Sequence, residues 1–284
     1  MPDTLPFWLH SVGVVARRTP YFKGKWRVVD WLFRHWLRQT RWSEVIWINR
    51  QIRLKCDLWD EAQNPIWWCG TAYERKETRF LHTLLTPSMT FFDVGANIGY
   101  YSLTAAPLVG KGGAIHAFEP VSRQFAALCA NIERNGFCNT TPNRLIVSDS
   151  CGEMRIHPGP EEHSGIASIA GVSRADQRAE TVPSTTLDQY MRERKLPRID
   201  VVKIDVEGHE LHVLQGARQI LQTHKPVLLI EVRAQHLERA GATREELFSL
   251  LRDLNYKPFE ILANGTTRPL AAPKDDNLIV FRIQ

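Results

Sequence analysis

Apolar and polar positions follow two different patterns along this chain. In residues 25–42, KWRVVDWLFRHWLRQTRW, the side chains of Trp26, Val29, Phe33, Trp36 and Leu37 share one arc at about 100° per residue. Arg27, Arg34, Arg38 and Arg41 lie opposite, so the segment predicts an amphipathic helix with a basic ridge. The stretch EVIWINRQIRLKCDL mixes alternation with β-branched residues and predicts strands, and TAYERKETRFLHTLL predicts a helix stopped by Pro87. Beyond that point the pattern is regular. Apolar strands MTFFDV, GAIHAFE, RLIVSD, DVVKIDV and PVLLIEV alternate with helical segments such as SRQFAALCANIERNG and HELHVLQGARQIL, and NLIVFRIQ reads as a final strand. Such alternation implies a mostly parallel sheet with helices on both faces. Residues 159–184, rich in Gly, Ser, Pro and charge, predict a long loop over the strand ends.

Composition divides the chain in the same place. The length, 284 residues, suits one α/β domain plus an extension, with a division at residues 1–69 and 70–284. The formal charge of +5 is unevenly spread: over residues 1–55 eleven Lys and Arg face only Asp3, Asp30 and Glu44. All nine tryptophans lie at or before Trp68. This extension is read either as an ordinary solvated helix face, its aromatic arc packed on the catalytic domain or on a second subunit as in a homodimer, or as a weak contact with an anionic membrane surface or an acidic acceptor. Nucleic acid is not an expected partner. Cys56, Cys69, Cys129, Cys138 and Cys151 are odd in number and form no C-x-x-C pair, which argues against a disulfide framework or zinc site and fits a reducing, cytoplasmic setting. The start of the sequence does not read as a signal peptide, and no apolar run reaches the roughly 20 residues a membrane span needs.

The candidate chemistry begins at FFDVGANIGYY, residues 91–101. A glycine-rich turn between a strand and a helix brings backbone N–H groups and the helix start against the polar end of a ligand. Here Gly95, Ala96, Asn97 and Gly99 lack the third glycine of the dinucleotide fingerprint, and Asp93 just before them repels a pyrophosphate. That disfavours an NAD-dependent dehydrogenase and suits a ligand bearing an ammonium and a sulfonium, such as S-adenosylmethionine. Glu119 in the FEP turn, next to Pro120, can accept both hydroxyls of a ribose. Ser148 and Asp149 end the RLIVSD strand, placed for an adenine edge, although Ser-Asp pairs also cap turns. KIDVEGHE sets Asp205 and Glu207 on one side of a strand end with His209 opening the next helix, and Glu231 ends PVLLIEV on the same edge. The plainer alternatives are helix caps for the two acids, a solvent-facing His209, and an ion pair between Glu231 and Arg233. Asp205, Glu231 and His236 match no standard metal spacing, so no metal is expected.

Taken in order, GTAYERKE, FFDVGANIGYYS, FEP, LIVSD, TTLDQY, VVKIDVEGHELHVLQGA and PVLLIEV resemble the FkbM-type methyltransferases, over about Gly70 to Gln284. The resemblance implies a Rossmann-like class I methyltransferase fold with a mostly parallel, seven-stranded sheet. It implies that Asp93, Gly95, Asn97, Gly99, Tyr101 and Ser102 surround the methionine part of S-adenosylmethionine. Glu119 would then hold the ribose and Asp149 the adenine, with Asp205 between donor and acceptor. The implied reaction is methylation of a hydroxyl on a sugar, polyketide or other natural product. Methylation of a peptide amide is a second reading, and a non-catalytic cofactor-binding protein docking through its basic arm is a third. For an O-methylation the proton goes to Asp205, Glu207 or His209, with Glu231 orienting the acceptor.

Overall fold

The computed structural model describes residues 6–19, 31, 37–165, 167, 169, 179–272 and 274–283. Of the helix expected over 25–42, Trp26, Arg27, Val29, Phe33, Arg34 and Trp36 lie outside the described residues, whereas Leu37 is buried. The chain forms two compact units, residues 1–75 with 159–166, and residues 76–158 with 167–284.

The first unit holds helix α1 (Phe7–Arg18), the antiparallel pair β1 (Ser43–Ile48) and β2 (Ile52–Asp57), and helix α2 (Asn64–Cys69). Alternation works as expected in the hairpin: Ile46, Ile48, Ile52, Leu54 and Cys56 are buried while Trp47, Arg53 and Lys55 face out. Glu44 ties three elements together, because its carboxylate accepts from the Trp67 indole Nε1 of α2 and lies 2.6 Å from His10 Nδ1 of α1. Arg17 of α1 donates to the Trp67 carbonyl at 3.0 Å. Asp60 is fully buried and draws residues 159–166 into this unit, accepting from Ala62 N, Gln63 Nε2 and both the backbone N and Oγ of Ser164. A linear division of the sequence has no means of showing that attachment.

The second unit begins its regular structure with α3 (Arg75–Leu84), followed by β3 (Thr90–Val94), α4 (Tyr100–Val109), β4 (Ala114–Phe118), α5 (Ser122–Asn135) and β5 (Thr140–Asn143). Three short strands come next, β6 (Ile146–Val147), β7 (Gly152–Ile156) and β8 (Glu180–Thr185), and then α6 (Leu187–Glu193), β9 (Val201–Ile204), α7 (Glu210–Gln215), α8 (Arg218–Thr223) and β10 (Val227–Val232). The chain closes with α9 (Ala234–Arg239), α10 (Arg244–Asp253), β11 (Tyr256–Ile261), β12 (Thr267–Pro269) and β13 (Asp276–Ile283).

The main sheet runs β12-β11-β13-β10-β9-β3-β4-β5. The block from β10 to β5 is parallel, and β11, β12 and β13 join by antiparallel pairing. This is a Rossmann-like architecture. The chain moves one way from β3 to β4 and the other way from β9 to β10, and right-handed crossovers therefore put the intervening helices on opposite faces. The crevice where the order reverses, between the carboxyl ends of β3 and β9, is where open α/β sheets bind ligands. Central strands β3 and β9 are buried along their whole length, which explains why they read as unbroken apolar runs.

Four expectations need correction. The sheet has eight strands, not seven, because the three-residue β12 adds an edge without any apolar alternation to announce it, and an edge tolerates Pro269. RLIVSD is not a strand of the main sheet: β5, TTPN, occupies that edge, and Ile146–Val147 pairs instead with β8 in a separate sheet β6-β8-β7. The expected loop over 159–184 is strand from Glu180 onward, because Val182 packs with Val121, Ile146 and Ile156. HELHVLQGARQIL is two helices, not one. The Gly216 carbonyl accepts from Asp188 N, and the Asp188 carboxylate caps α8 through Gln219 N and Ile220 N, both at 2.9 Å.

Replacing Asp60 by Ala leaves the Gln63 amide and the Ser164 N–H and hydroxyl without their buried acceptor, and should destabilise the first unit by about 2–4 kcal/mol. Limited proteolysis should then cut within residues 159–166 much faster than in the parent protein; equal cutting rates would show that Asp60 does not hold this segment.

Candidate functional site

The site grows from the end of β3. Asp93 is fully buried, and its Cα partner in the neighbouring parallel strand is Lys203 of β9. The Lys203 ammonium, itself buried, lies 3.4 Å from Asp93 and 3.3 Å from Asp205, donates to the Gly95 carbonyl at 3.2 Å, and sits 5.1 Å from the centroid of the Tyr101 ring. Ser102 Oγ, one turn into α4, donates to the other Asp93 oxygen at 2.6 Å. Gly95 leaves β3 at φ 78°, and a Cβ there would lie 1.8 Å from the Asp205 carbonyl oxygen. Only glycine permits both the backbone angle and that approach, so the two strand ends touch because of this residue.

The turn spends four of its N–H donors inside the protein, whereas the sequence-based expectation set them against a ligand. Gly95 N and Ala96 N both donate to the Phe118 carbonyl, Asn97 N donates to Glu119 Oε2 at 2.9 Å, and Gly99 N donates to the Ala96 carbonyl. Strand β4 thus consumes the N–H groups that in a pyrophosphate site would face the ligand. Asn97 occupies the left-handed region, and Asn131 fastens the turn from α5 by donating to the Ile98 carbonyl.

Glu119 is buried rather than exposed at a strand end. Its second oxygen accepts from Val121 N at 3.0 Å, while Pro120 between them accepts from Arg144 through its carbonyl. Burial pushes the Glu119 carboxyl up to about 7, against the pull of its two backbone donors.

Ser148 and Asp149 belong to a second cluster. Ser148 Oγ lies 2.8 Å from His209 Nε2, Asp149 is 2.8 Å from His212 Nδ1, and the two imidazoles stack at 4.4 Å. His209 is therefore buried at the start of α7 instead of facing solvent. Burial, reinforced by His212, lowers it to about 4, so its ring is neutral and already engaged. The neighbouring His212 holds Asp149 below the usual carboxylate range.

A third group forms where β9 and β10 end. Glu207 follows Asp205 in the left-handed region, and Gly208 at φ 110° would place a Cβ 2.3 Å from the His236 carbonyl oxygen. That contact carries Glu207 to His236, whose Nδ1 lies 2.9 Å from Glu207 and 3.8 Å from Glu231. Glu231 also pairs with Arg233 at 3.1 Å. Burial, then the charges of Asp205, Glu231 and Glu210, push Glu207 up to about 9. Asp205 keeps a third of its side chain open, and is raised by its crowded surroundings and by Glu231 against the pull of Lys203. For Glu231 the upward push of burial is outweighed by His236 and Arg233, which hold it low.

Of the residues singled out in the sequence, the fold brings Asp93, Gly95, Tyr101, Ser102 and Asp205 together around Lys203, and joins Ala96, Asn97 and Glu119 at the end of β4. Asp205, Glu207 and Glu231 share the third group, and Ser148, Asp149 and His209 stand in the second. Sequence reasoning missed Lys203, whose signal was a lysine in the middle of an apolar strand. It also missed Glu210, buried and accepting from Val206 N and Gly208 N.

The family model described as the methyltransferase FkbM domain matches residues 93–258, over half of the chain. The chain belongs to the FkbM methyltransferase family. It is 32% identical over 143 residues to the hexuronic acid methyltransferase AglP of Haloferax volcanii, an alignment covering 50% of this chain and 55% of that protein. It is 31% identical over 159 residues to the 31-O-demethyl-FK506 methyltransferase FkbM of Streptomyces tacrolimicus, covering 46% of this chain and 60% of the relative. The chain thus spans little more than half the length of these curated relatives. A crystal structure of methyltransferase FkbM from Methylobacillus flagellatus aligns with a TM-score of 0.44 and 18% identity, over 72% of this chain and 50% of the other. The FkbM domain match begins at Asp93, and it includes both Lys203 and Glu231.

Lys203→Met removes the cation between two carboxylates in the FkbM domain's centre. It should cost about 3–5 kcal/mol of stability, the scale for stripping one partner from a buried ion pair, read as a lowered denaturation midpoint. An unchanged midpoint would mean that Asp93 and Asp205 do not depend on Lys203.

Proposed function

We propose that the second unit transfers a methyl group from S-adenosylmethionine to a hydroxyl of a sugar or similar polyhydroxylated natural product. The observation that carries this reading is the inward turn of the GANIG loop: its N–H donors are spent on Phe118 and Glu119, and the charges left around the crevice are Asp93, Asp205 and Glu119 against Lys203. That environment suits a ligand with an ammonium and a sulfonium better than one with a pyrophosphate. The family match agrees, and the two relatives are named for a hexuronic acid and for 31-O-demethyl-FK506. No described helix is long and apolar enough to cross a membrane, and all five cysteines are free.

The cofactor, when bound, supplies an electrophilic methyl carbon on sulfur. The Gly95–Gly99 turn, by close approach and not through its N–H groups, would line the amino-acid end together with Asp93, Tyr101 and Ser102, and each Glu119 oxygen would keep a lone pair for a ribose hydroxyl. Ser148 and Asp149 border the adenine. Transfer of that methyl would form the carbon–oxygen bond as the carbon–sulfur bond breaks, leaving S-adenosylhomocysteine, and the acceptor's proton would go to the protein. Asp205 is the best placed to accept it: its side chain is partly open and its pKa is raised, whereas Glu207 is already protonated at neutral pH and His209 is committed to Ser148. Glu231, aligned by Arg233, orients the acceptor.

Calorimetry with S-adenosylhomocysteine tests cofactor binding, and a mass gain of one methyl on a hexuronic acid glycoside or a polyketide alcohol tests the reaction. NAD binding with no response to S-adenosylhomocysteine would overturn the reading. Asp205→Asn should lower turnover by about 10² or more with a smaller change in cofactor affinity. Near-normal turnover would move the proton to another group.

Glu119 gives a pH test. With a carboxyl at about 7 in the free protein and hydroxyl donors that need the carboxylate, affinity for S-adenosylhomocysteine should fall about tenfold from pH 8 to pH 6. The sign for the free protein is opposite. Because the folded chain holds this proton more tightly than the unfolded one, its contribution to stability is present below about 4.5 and lost as pH rises through 7. Glu119→Gln should weaken binding at pH 8 and flatten the affinity profile; an equally steep profile in that variant would assign the titration elsewhere.

A further inference from the structure

We infer that Glu207, Glu231 and His236 form a binding site for one divalent transition-metal ion of the manganese or zinc class. Each residue offers one ligand atom, and these atoms lie within 4.8 Å of one another. They come from three different positions, the left-handed turn after β9, the end of β10 and the first turn of α9, and are gathered by the contact of Gly208 with the His236 backbone.

A separate observation points to a ligand. Glu231 Oε2 and His236 Nδ1 are shielded from solvent, yet neither has a hydrogen-bond partner. His236 Nδ1 lies 2.9 Å from Glu207 and 3.8 Å from Glu231, close but not aligned as a hydrogen bond to either. Ligands around one ion at about 2.1 Å stand roughly 3 Å apart when adjacent, so small movements would close the set on a metal. Arg233 occupies the other Glu231 oxygen and orients it, as partners of metal-binding carboxylates do. One imidazole with two carboxylates favours a borderline metal over calcium or magnesium, which prefer oxygen ligands throughout.

The ion's use rests on the methyl-transfer reading: beside Asp205 it would bind the acceptor hydroxyl and lower its pKa, easing loss of the proton to Asp205. Its binding does not rest on that reading and is measured without an acceptor.

Full-length, tag-free protein stripped with a chelator is titrated with manganese chloride, and the free ion is followed by electron paramagnetic resonance. The expected result is one ion per chain, displaced by zinc but not by equal magnesium, with His236→Ala and Glu231→Gln each weakening binding about tenfold or more. His236→Asn, closer in size, replaces the alanine variant should that fail to fold, as judged by its melting transition. No binding by the parent protein up to about 1 mM manganese, far above the range of ordinary functional sites, overturns the inference. So does binding that the folded variants leave unchanged, or that magnesium matches. Loss of S-adenosylhomocysteine binding with manganese binding intact would instead count against the methyl-transfer reading alone.

Discussion

Lys203 is the point on which the second unit turns. It stands in register with Asp93 across the β3–β9 pair, where the sheet's order reverses, and it holds the carboxylates of two strand ends and one carbonyl of the glycine turn. A buried lysine is tolerable only when paired, and buried aspartates likewise. Each therefore specifies the other, and together they fix the relative positions of the turn, Tyr101 and Asp205. The glycine at 95 completes the arrangement by letting the two strand ends meet.

Beyond this pairing, negative charge accumulates at the carboxyl ends of the parallel strands faster than cations are provided. Asp93 and Asp205 share Lys203, while Glu207 and Glu231 gather within reach of Arg233, and Glu210 lies close to both glutamates. Burial with like charges nearby raises several of these carboxyls, so they hold protons at pH values where an exposed carboxylate would not. On the proposed reading, the same accumulation suits a sulfonium, an ammonium or a metal cation better than a phosphate.

The first unit follows a different principle. Its centre packs aliphatic side chains of the hairpin with Trp59, Trp67 and Trp68, clamped by a few polar groups: Glu44 joins α1, β1 and Trp67, and Asp60 reaches across a long sequence separation to Ser164. Several large apolar side chains nonetheless stay exposed, among them Phe7, Trp8, Val15 and Trp47. Aromatic abundance in the sequence therefore did not translate into uniform burial. Trp67 and Trp68 are enclosed while Trp8 and Trp47 are open, and composition alone does not distinguish them.

What the sequence determined by itself was local or motif-borne. Central strands revealed themselves as apolar runs because they are buried on both faces. The glycine turn, the acid before it and the acidic strand ends could be read because each needs a particular residue type at a particular spacing. Tertiary structure decided the rest. β5 and β12 are short, proline-bearing edges with no periodic signal, and RLIVSD was apolar enough for the main sheet but was claimed by β8. The sequence named the GANIG loop, whereas only the fold showed that β4 consumes its donors, because hydrogen-bond partners on another strand leave no trace in the turn itself. Likewise His209 and Glu119 were recognisable as polar residues at element ends, but whether each met solvent or a buried partner depended on chain brought in from elsewhere: Ser148 for one, Asn97 and Val121 for the other. Spacing along the chain sets which groups are near a strand end, and packing between strands sets which of them meet.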